Sequence, residues 1–261
     1  MDFARSFSVM KICLLGSCSG TEPQTGRHHT SWILQFNDEL FWFDAGENCS
    51  YTAHLAGFDL RKSRAVFLSH PHLDHVGGLP NLLWTISKIR SRSKQPWQFE
   101  LPIYTASLNQ VQAIFDLLAE TEFPCKSPMY RLQEGVVWSD GITVEVTGNN
   151  HLPPDADGTP RSFSFRVTAE GRKIVYSGDI RNIQDLSEWL TDCDILLMEN
   201  GHNDPCEVCK YLMASSSKPR HLIFVHHGRT MLKDGANVIA ECRKLADFPV
   251  DAADDGMIID L

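Results

Sequence analysis

His70-Pro71-His72-Leu73-Asp74-His75 places three imidazoles and a carboxylate within one short loop. The run before it, Ala65-Val66-Phe67-Leu68, is apolar and β-prone, and Gly77-Gly78-Leu79 follows. The loop is therefore expected to leave a buried strand and enter a helix. Imidazole nitrogens suit zinc, iron or manganese, and carboxylates bridge or complete the coordination of a harder second ion. The spacing lets His70 and His72 point to one side while Asp74 and His75 serve a neighbouring position, so two adjacent metals are expected. A histidine-rich turn that simply faces solvent is the alternative. It fits poorly, because four such groups after a buried strand are costly to desolvate without a metal.

More ligands stand further along the chain. His151 follows the alternating strand Ile142-Thr143-Val144-Glu145-Val146, and Asp179 ends Lys173-Ile174-Val175-Tyr176-Ser177-Gly178. The glycine there lets the backbone approach a ligand, and the carboxylate can bridge two cations. His226 and His227 cap His221-Leu222-Ile223-Phe224-Val225, and Asp44 caps Leu40-Phe41-Trp42-Phe43. Taken singly, these are ordinary loop, cap and turn residues. Together they stand at the carboxyl ends of strands, where α/β folds build their sites.

With these residues the chain resembles the metallo-β-lactamase-fold hydrolases, through Phe43-Asp44-Ala45-Gly46, the HxHxDH loop, His151, Ser177-Gly178-Asp179 and His226. The likeness runs from about Met10 to the C-terminus. Within that superfamily it is nearest to ribonuclease Z and its phosphodiesterase relatives, through Gly78-Leu79-Pro80-Asn81-Leu82-Leu83 leading to Leu101-Pro102-Ile103-Tyr104, and through Asp194-Ile195-Leu196-Leu197-Met198-Glu199. The resemblance implies that His70, His72 and His151 hold a first metal, that Asp74, His75 and His226 hold a second, and that Asp179 bridges them. It also implies that Asp44 orients the ligands. His226 is taken over His227 because Leu222-Ile223-Phe224-Val225-His226 matches the family's ligand strand in register; His227 stays as the alternative. A homodimer is a further implication.

Two departures bear on substrate. Ribonuclease Z pairs a Glu in a His-Glu-Ala-Thr segment with a later His to shuttle a proton, whereas Met198-Glu199-Asn200-Gly201-His202 keeps the Glu and compresses the rest. Glu199 and His202 are therefore the candidates for that shuttle. The long arm that grips transfer RNA needs an insertion for which the stretch from His151 to His226 has no room, which weakens a transfer RNA substrate.

At 261 residues with 43% hydrophobic content, the chain can bury a substantial core. Strands recur on both sides of about Val137 and alternate with helical segments such as Ser107 to Glu120 and Gly235 to Leu245. The expected architecture is α/β: an αββα sandwich of two mixed sheets flanked by helices, with the metal site at one edge. A single domain is expected over residues 10–261, preceded by a disordered extension over residues 1–9. Neither a signal peptide nor a membrane span is expected, since Ile12-Cys13-Leu14-Leu15 is too short and reads as the first strand. The eight cysteines lack the spacing of a disulfide scaffold, so a reducing, cytoplasmic setting fits best. Cys206-Glu207-Val208-Cys209 is expected in the first turn of a helix, as ordinary helical cysteines rather than a redox pair or structural zinc. Were they zinc-bound, Cys18 is the candidate third ligand.

A net charge of −9 argues against a general nucleic-acid binder. The basic run Lys88, Arg90, Arg92 and Lys94 reads as a solvated helix end, which the helix dipole favours, with polyanion contact as the alternative. His28 and His29 are either surface histidines or substrate contacts beside the site.

The expected function is a dinuclear metallohydrolase with two divalent ions, zinc ahead of manganese or iron. A hydroxide bridging the metals attacks phosphorus in line, Asp74 orients it, and His202 or His227 protonates the leaving oxygen. The substrate is RNA or a small cyclic or nucleotide diester. Hydrolysis of a carboxylic ester, lactone or thioester at the same site is the alternative. A redox role is disfavoured because the di-iron oxidoreductases of the superfamily carry Glu where His72 stands.

Overall fold

Residues 10–93, 100–121 and 127–261 are described by a computed structural model of the chain. The proposed extension over residues 1–9 lies outside them, as does Lys94. Two seven-stranded sheets face one another. The first holds, in spatial order, β14 (Met257–Asp260), β1 (Met10–Gly16), β2 (Ser31–Phe36), β3 (Glu39–Phe43), β4 (Ser63–Leu68), β5 (Ile103–Thr105) and β6 (Met129–Arg131). The second holds β13 (Val250–Ala252), β12 (His221–Val225), β11 (Ile195–Glu199), β10 (Arg172–Tyr176), β9 (Phe163–Ala169), β8 (Ile142–Gly148) and β7 (Gly135–Asp140).

Strand period dictates the layering. In β4, Ala65 and Phe67 point into the core between the sheets, while Val66 and Leu68 point outward under helices. Both faces are covered, which is why such strands read as unbroken apolar runs. The outer core of the first sheet includes Ala53 of α1 (Cys49–Leu55), Leu82 and Ile86 of α3 (Leu79–Ser91) and Phe115 of α4 (Leu108–Ala119). That of the second includes Val208 and Leu212 of α5 (Pro205–Ala214) and Ile239 of α6 (Arg229–Leu245). The αββα order is thus observed, with three hydrophobic layers. Among the described residues no helix is long and apolar enough to cross a membrane.

Two details differ from the sequence pattern. The strands are not divided simply at Val137, because β14 returns from the end of the chain to pair antiparallel with β1. Helix α6 starts six residues before Gly235, with a kink at Asp234, whose φ of −147° is non-helical. Gly235 marked that kink rather than the helix start. The predicted helix over Ser107 to Glu120 forms as α4, with the Ser107 hydroxyl accepting from the Gln110 amide as its cap.

Candidate metal centre

Apart from His227, the strand-end candidates converge at one edge of the sandwich. β3 and β4 run parallel in one sheet, β10, β11 and β12 in the other, and β8 shares the direction of β10 because both are antiparallel to β9. Asp44, His70, His151, Asp179 and His226 therefore emerge on the same side. The loop after β4 turns at once into the short helix α2 (Leu73–Val76), which places Asp74 and His75 one turn beyond His70 and His72.

Two donor groups result. His70, His72, His151 and Asp179 form one, and Asp74, His75, Asp179 and His226 form the other; within each, one ligand atom per residue lies within 4.8 Å of the rest. Asp179 belongs to both, and its two oxygens divide between them. Its Oδ2 lies 3.7 Å from His70 Nε2 and 3.6 Å from His151 Nε2. Its Oδ1 lies 3.2 Å from both His75 Nε2 and His226 Nε2. His72 Nδ1 approaches His151 Nε2 at 3.3 Å, and Asp74 Oδ2 approaches His226 Nε2 at 3.2 Å.

These atoms suit divalent cations. His70 Nε2, His75 Nε2 and Asp179 Oδ1 are buried and have no hydrogen-bond partner. Buried polar atoms are rarely left so, and one ion in each donor group would satisfy them, His70 in the first and His75 with Asp179 Oδ1 in the second. The same crowding shapes the titration of the metal-free centre. Burial alone would push His226 down, but Asp179, Asp74 and Glu199 outweigh it and raise its pKa to about 9. Burial likewise opposes the charged form of His75, yet the Asp179 and Asp44 carboxylates hold it well above the ordinary value. Burial and the neighbouring His75 keep His70 well below it, and burial lowers His151 to about 4. Desolvation would raise Asp179, but His226, His75 and His70 hold it well below the usual carboxylate range.

Behind the donors lies a buried polar shell. Asp44 accepts from the Ser69 amide at 2.7 Å, the Ser69 hydroxyl at 2.8 Å, His75 Nδ1 at 2.8 Å and the Tyr176 hydroxyl at 2.6 Å. Donating Nδ1–H to Asp44 leaves Nε2, on the Asp179 side, as the nitrogen whose lone pair a cation would take. Asn149 accepts from the His151 amide and donates to Ser164 Oγ, fixing the start of that loop. Ser69, Asn149 and Tyr176 carry no local motif, so sequence reasoning missed them. Glycine is required at Gly178, where φ is +55° and a Cβ would meet the Phe163 carbonyl oxygen at 2.6 Å.

Glu199 ends β11 fully buried, and its Oε2 accepts from the His202 amide at 2.9 Å and lies 3.4 Å from His202 Nδ1. The hydrogen bond to Glu199 raises the His202 pKa. His202 also lines a cavity of about 230 Å³ together with Ser19, Gly20, His72, Asp74, Asp179, Gly201 and His226.

His227 does not join this site. His226 has a left-handed backbone, φ 51°, so the two histidines diverge. The His227 ring is buried between Asn200 Nδ2 at 2.9 Å and the Ala253 carbonyl at 2.8 Å, both nitrogens engaged, and it cannot serve as ligand or acid there. Nor do His28 and His29 line the cavity; His28 Nδ1 pairs with Asp255 at 2.9 Å, and His29 lies 3.9 Å from Glu47. Cys206 and Cys209 occupy the first turns of α5, capped by Asp204, as the sequence suggests. Their third thiol is Cys242 of α6, whose Sγ lies 3.9 Å from that of Cys206, and not Cys18, which faces Thr21. Lys88 and Arg90 fall in the last turn of α3 and Arg92 caps it.

Residues 10–200 match the family described as Anti-Pycsar protein Apyc1. The chain belongs to that family. Over nearly its whole length this Apyc1-family chain is also similar to ribonuclease Z of Archaeoglobus fulgidus, at 24% identity, covering 94% of the chain and 96% of the relative. The metallo-β-lactamase-fold protein YhfI from Bacillus subtilis superposes with a TM-score of 0.77 at 18% identity, covering 97% of this chain and all of its own. The short form of human tRNase Z superposes at 0.68 and 19% identity, covering 96% and 98%. The Apyc1-family chain therefore has the metallo-β-lactamase fold, near the ribonuclease Z-like branch of its metal-dependent hydrolases.

Proposed function

We propose that this chain is a dinuclear metal-dependent phosphodiesterase acting on small nucleotide or cyclic diesters. The observation that carries the reading is the sharing of Asp179 between two donor groups, one carboxylate oxygen turned to each. His70, His72, His151 and Asp179 would hold one ion, and Asp74, His75, Asp179 and His226 the other, with zinc the first choice for this N/O set and manganese or iron also suited. Divalent cations bound there acidify a water and neutralise charge on a phosphoryl oxygen.

The chain's own residues supply the rest. Asp74, which lines the cavity, is placed to orient the attacking water. Glu199 faces His202 Nδ1, and that contact raises the pKa of the ring and favours its charged form, from which Nε2–H can be given to the leaving alkoxide. Gly20 and Gly201 line the cavity without side chains of their own.

The substrate size follows from the cavity and from the use of the chain. A volume of about 230 Å³ takes a phosphoryl group and a few adjoining atoms. About half of the residues between His151 and His226 form β9, β10, β11, α5, β12 and a 3-10 helix over Ile183–Trp189. The net charge of −9 also disfavours a long polyanion.

The test is turnover by zinc- or manganese-loaded protein of bis(p-nitrophenyl) phosphate, cyclic mononucleotides, short RNA, a lactone and a thioester. Conversion of the cyclic nucleotides to mononucleotides, lost in His72→Ala, is expected. Turnover of RNA without cyclic nucleotides would overturn the substrate class, and turnover of lactone or thioester alone would overturn the phosphodiesterase reading.

A further inference from the structure

Outside the metal centre, the densest cluster of reactive side chains lies where α5 packs on α6. Cys206 and Cys209 stand one helical turn apart on α5, and Cys242 comes from α6. Cys209 and Cys242 are fully buried, whereas Cys206 is only partly so and is the thiol that a solute can reach. Its sulfur is already 3.9 Å from that of Cys242, and a rotation about the two Cα–Cβ bonds is the kind of movement that closes such a gap to a bond.

We propose that Cys206 and Cys242 form a reversible disulfide on exposure to a small-molecule disulfide such as oxidised glutathione, making this a thiol modification site. The Cys206 thiol first displaces one glutathione from the oxidant, leaving a mixed disulfide at Cys206 and releasing one glutathione thiol. The Cys242 thiol then attacks the Cys206 sulfur, the second glutathione leaves as a thiol, and the S–S bond joins the helices. Two protein thiols are thereby oxidised and one glutathione disulfide is reduced to two thiols. Cys209 remains a thiol beside Cys242. Burial and the neighbouring Cys242 sulfur push the Cys206 thiol up to about 11, so its thiolate is scarce at neutral pH and the exchange is slow there.

The bond would tie together segments that the chain separates by the whole of β12. It would also anchor the first turn of α5, which begins three residues after His202, and so restrain the loop from Asn200 to Asp204. That loop is otherwise held by Asn203, which donates to the Ile180 carbonyl at 2.8 Å and to Glu199 Oε1 at 2.5 Å.

The experiment treats metal-loaded full-length protein with oxidised glutathione, then counts free thiols by alkylation and maps linked peptides by mass spectrometry. Two of the eight thiols should be lost without a lasting glutathione adduct, and Tm should rise by roughly 5 °C, reversed by dithiothreitol. Cys206→Ser, at the partly exposed position, should abolish both changes, and Cys209→Ser should keep the Cys206 to Cys242 link. A persistent glutathione adduct at Cys206, a Cys206 to Cys209 link, or no thiol loss would overturn the proposal. None of these readouts depends on which substrate the metal centre hydrolyses.

Discussion

Asp44 Oδ2 lies 2.8 Å from His75 Nδ1, on the far side of the ring from the Nε2 that faces Asp179 at 3.2 Å. One carboxylate thus fixes the tautomer of a donor that another carboxylate awaits. Asp44→Asn keeps the size and tolerates the left-handed φ of 56° at that position. It replaces one acceptor oxygen by a donor, against the Tyr176 hydroxyl and His75 Nδ1. Metal affinity should fall by about 10–100-fold, read by chelator competition. Unchanged affinity would remove Asp44 from the site's support.

Metal binding should release protons. Without metal, neighbouring carboxylates raise the pKa of His226 to about 9 and hold that of His75 well above the ordinary value, so protons compete with a cation for both rings. A cation needs their lone pairs, hence apparent affinity should rise with pH toward about 9 and weaken below it. Calorimetry in buffers of different ionisation enthalpy measures the proton count. A binding enthalpy that ignores the buffer would contradict this.

His227 predicts an acid sensitivity of the fold. Burial lowers its pKa from 6.5 to about 4, so between those values the unfolded chain binds a proton that the folded chain refuses. Its contribution, on the order of 3 kcal/mol, is intact above pH 6.5 and is lost as pH falls toward 4. Urea midpoints between pH 7 and 4.5 should fall less steeply in His227→Gln than in the wild type. Equal slopes would show that this ring is not the cause.

His202 should matter according to the leaving group. With a poor alkoxide leaving group, His202→Ala should lower kcat by about 10²–10⁴-fold, while metal content stays unchanged. With p-nitrophenolate, which departs without protonation, the loss should be much smaller. Equal losses on both substrates would assign His202 to binding instead.

Gly201 sets the place of His226. A Cβ there would meet His226 Nδ1 at 2.6 Å and Cε1 at 2.9 Å, so Gly201→Ala must displace the ring. Elemental analysis after dialysis should show metal lost from the Asp74, His75 and His226 group first, giving close to one ion per chain. Retention of two would mean that the ring has room to shift.

Much of this centre was legible because its donors end strands buried on both faces, and such strands announce themselves as apolar runs. β4 before His70, β10 before Asp179 and β12 before His226 are all of this kind. What escaped depends on contacts distant in sequence. Tyr176 reads as one more apolar strand residue until its hydroxyl is seen on Asp44, 132 positions away. Cys242 has no spacing relation to Cys206, and β14 gave no sign that it would join β1. The choice between His226 and His227 rested on register alone, whereas in the structure a left-handed backbone at His226, which no side-chain pattern encodes, turns the two rings apart.

Each donor group takes residues from both sheets: His70, His72, Asp74 and His75 follow β4, while His151, Asp179 and His226 follow β8, β10 and β12. Neither half of the sandwich therefore owns a complete coordination sphere. An ion seated here is a rivet across the seam, and chelation should loosen the two halves from each other as well as silence the enzyme. Activity that needs both ions is therefore expected only once the two sheets have closed on one another.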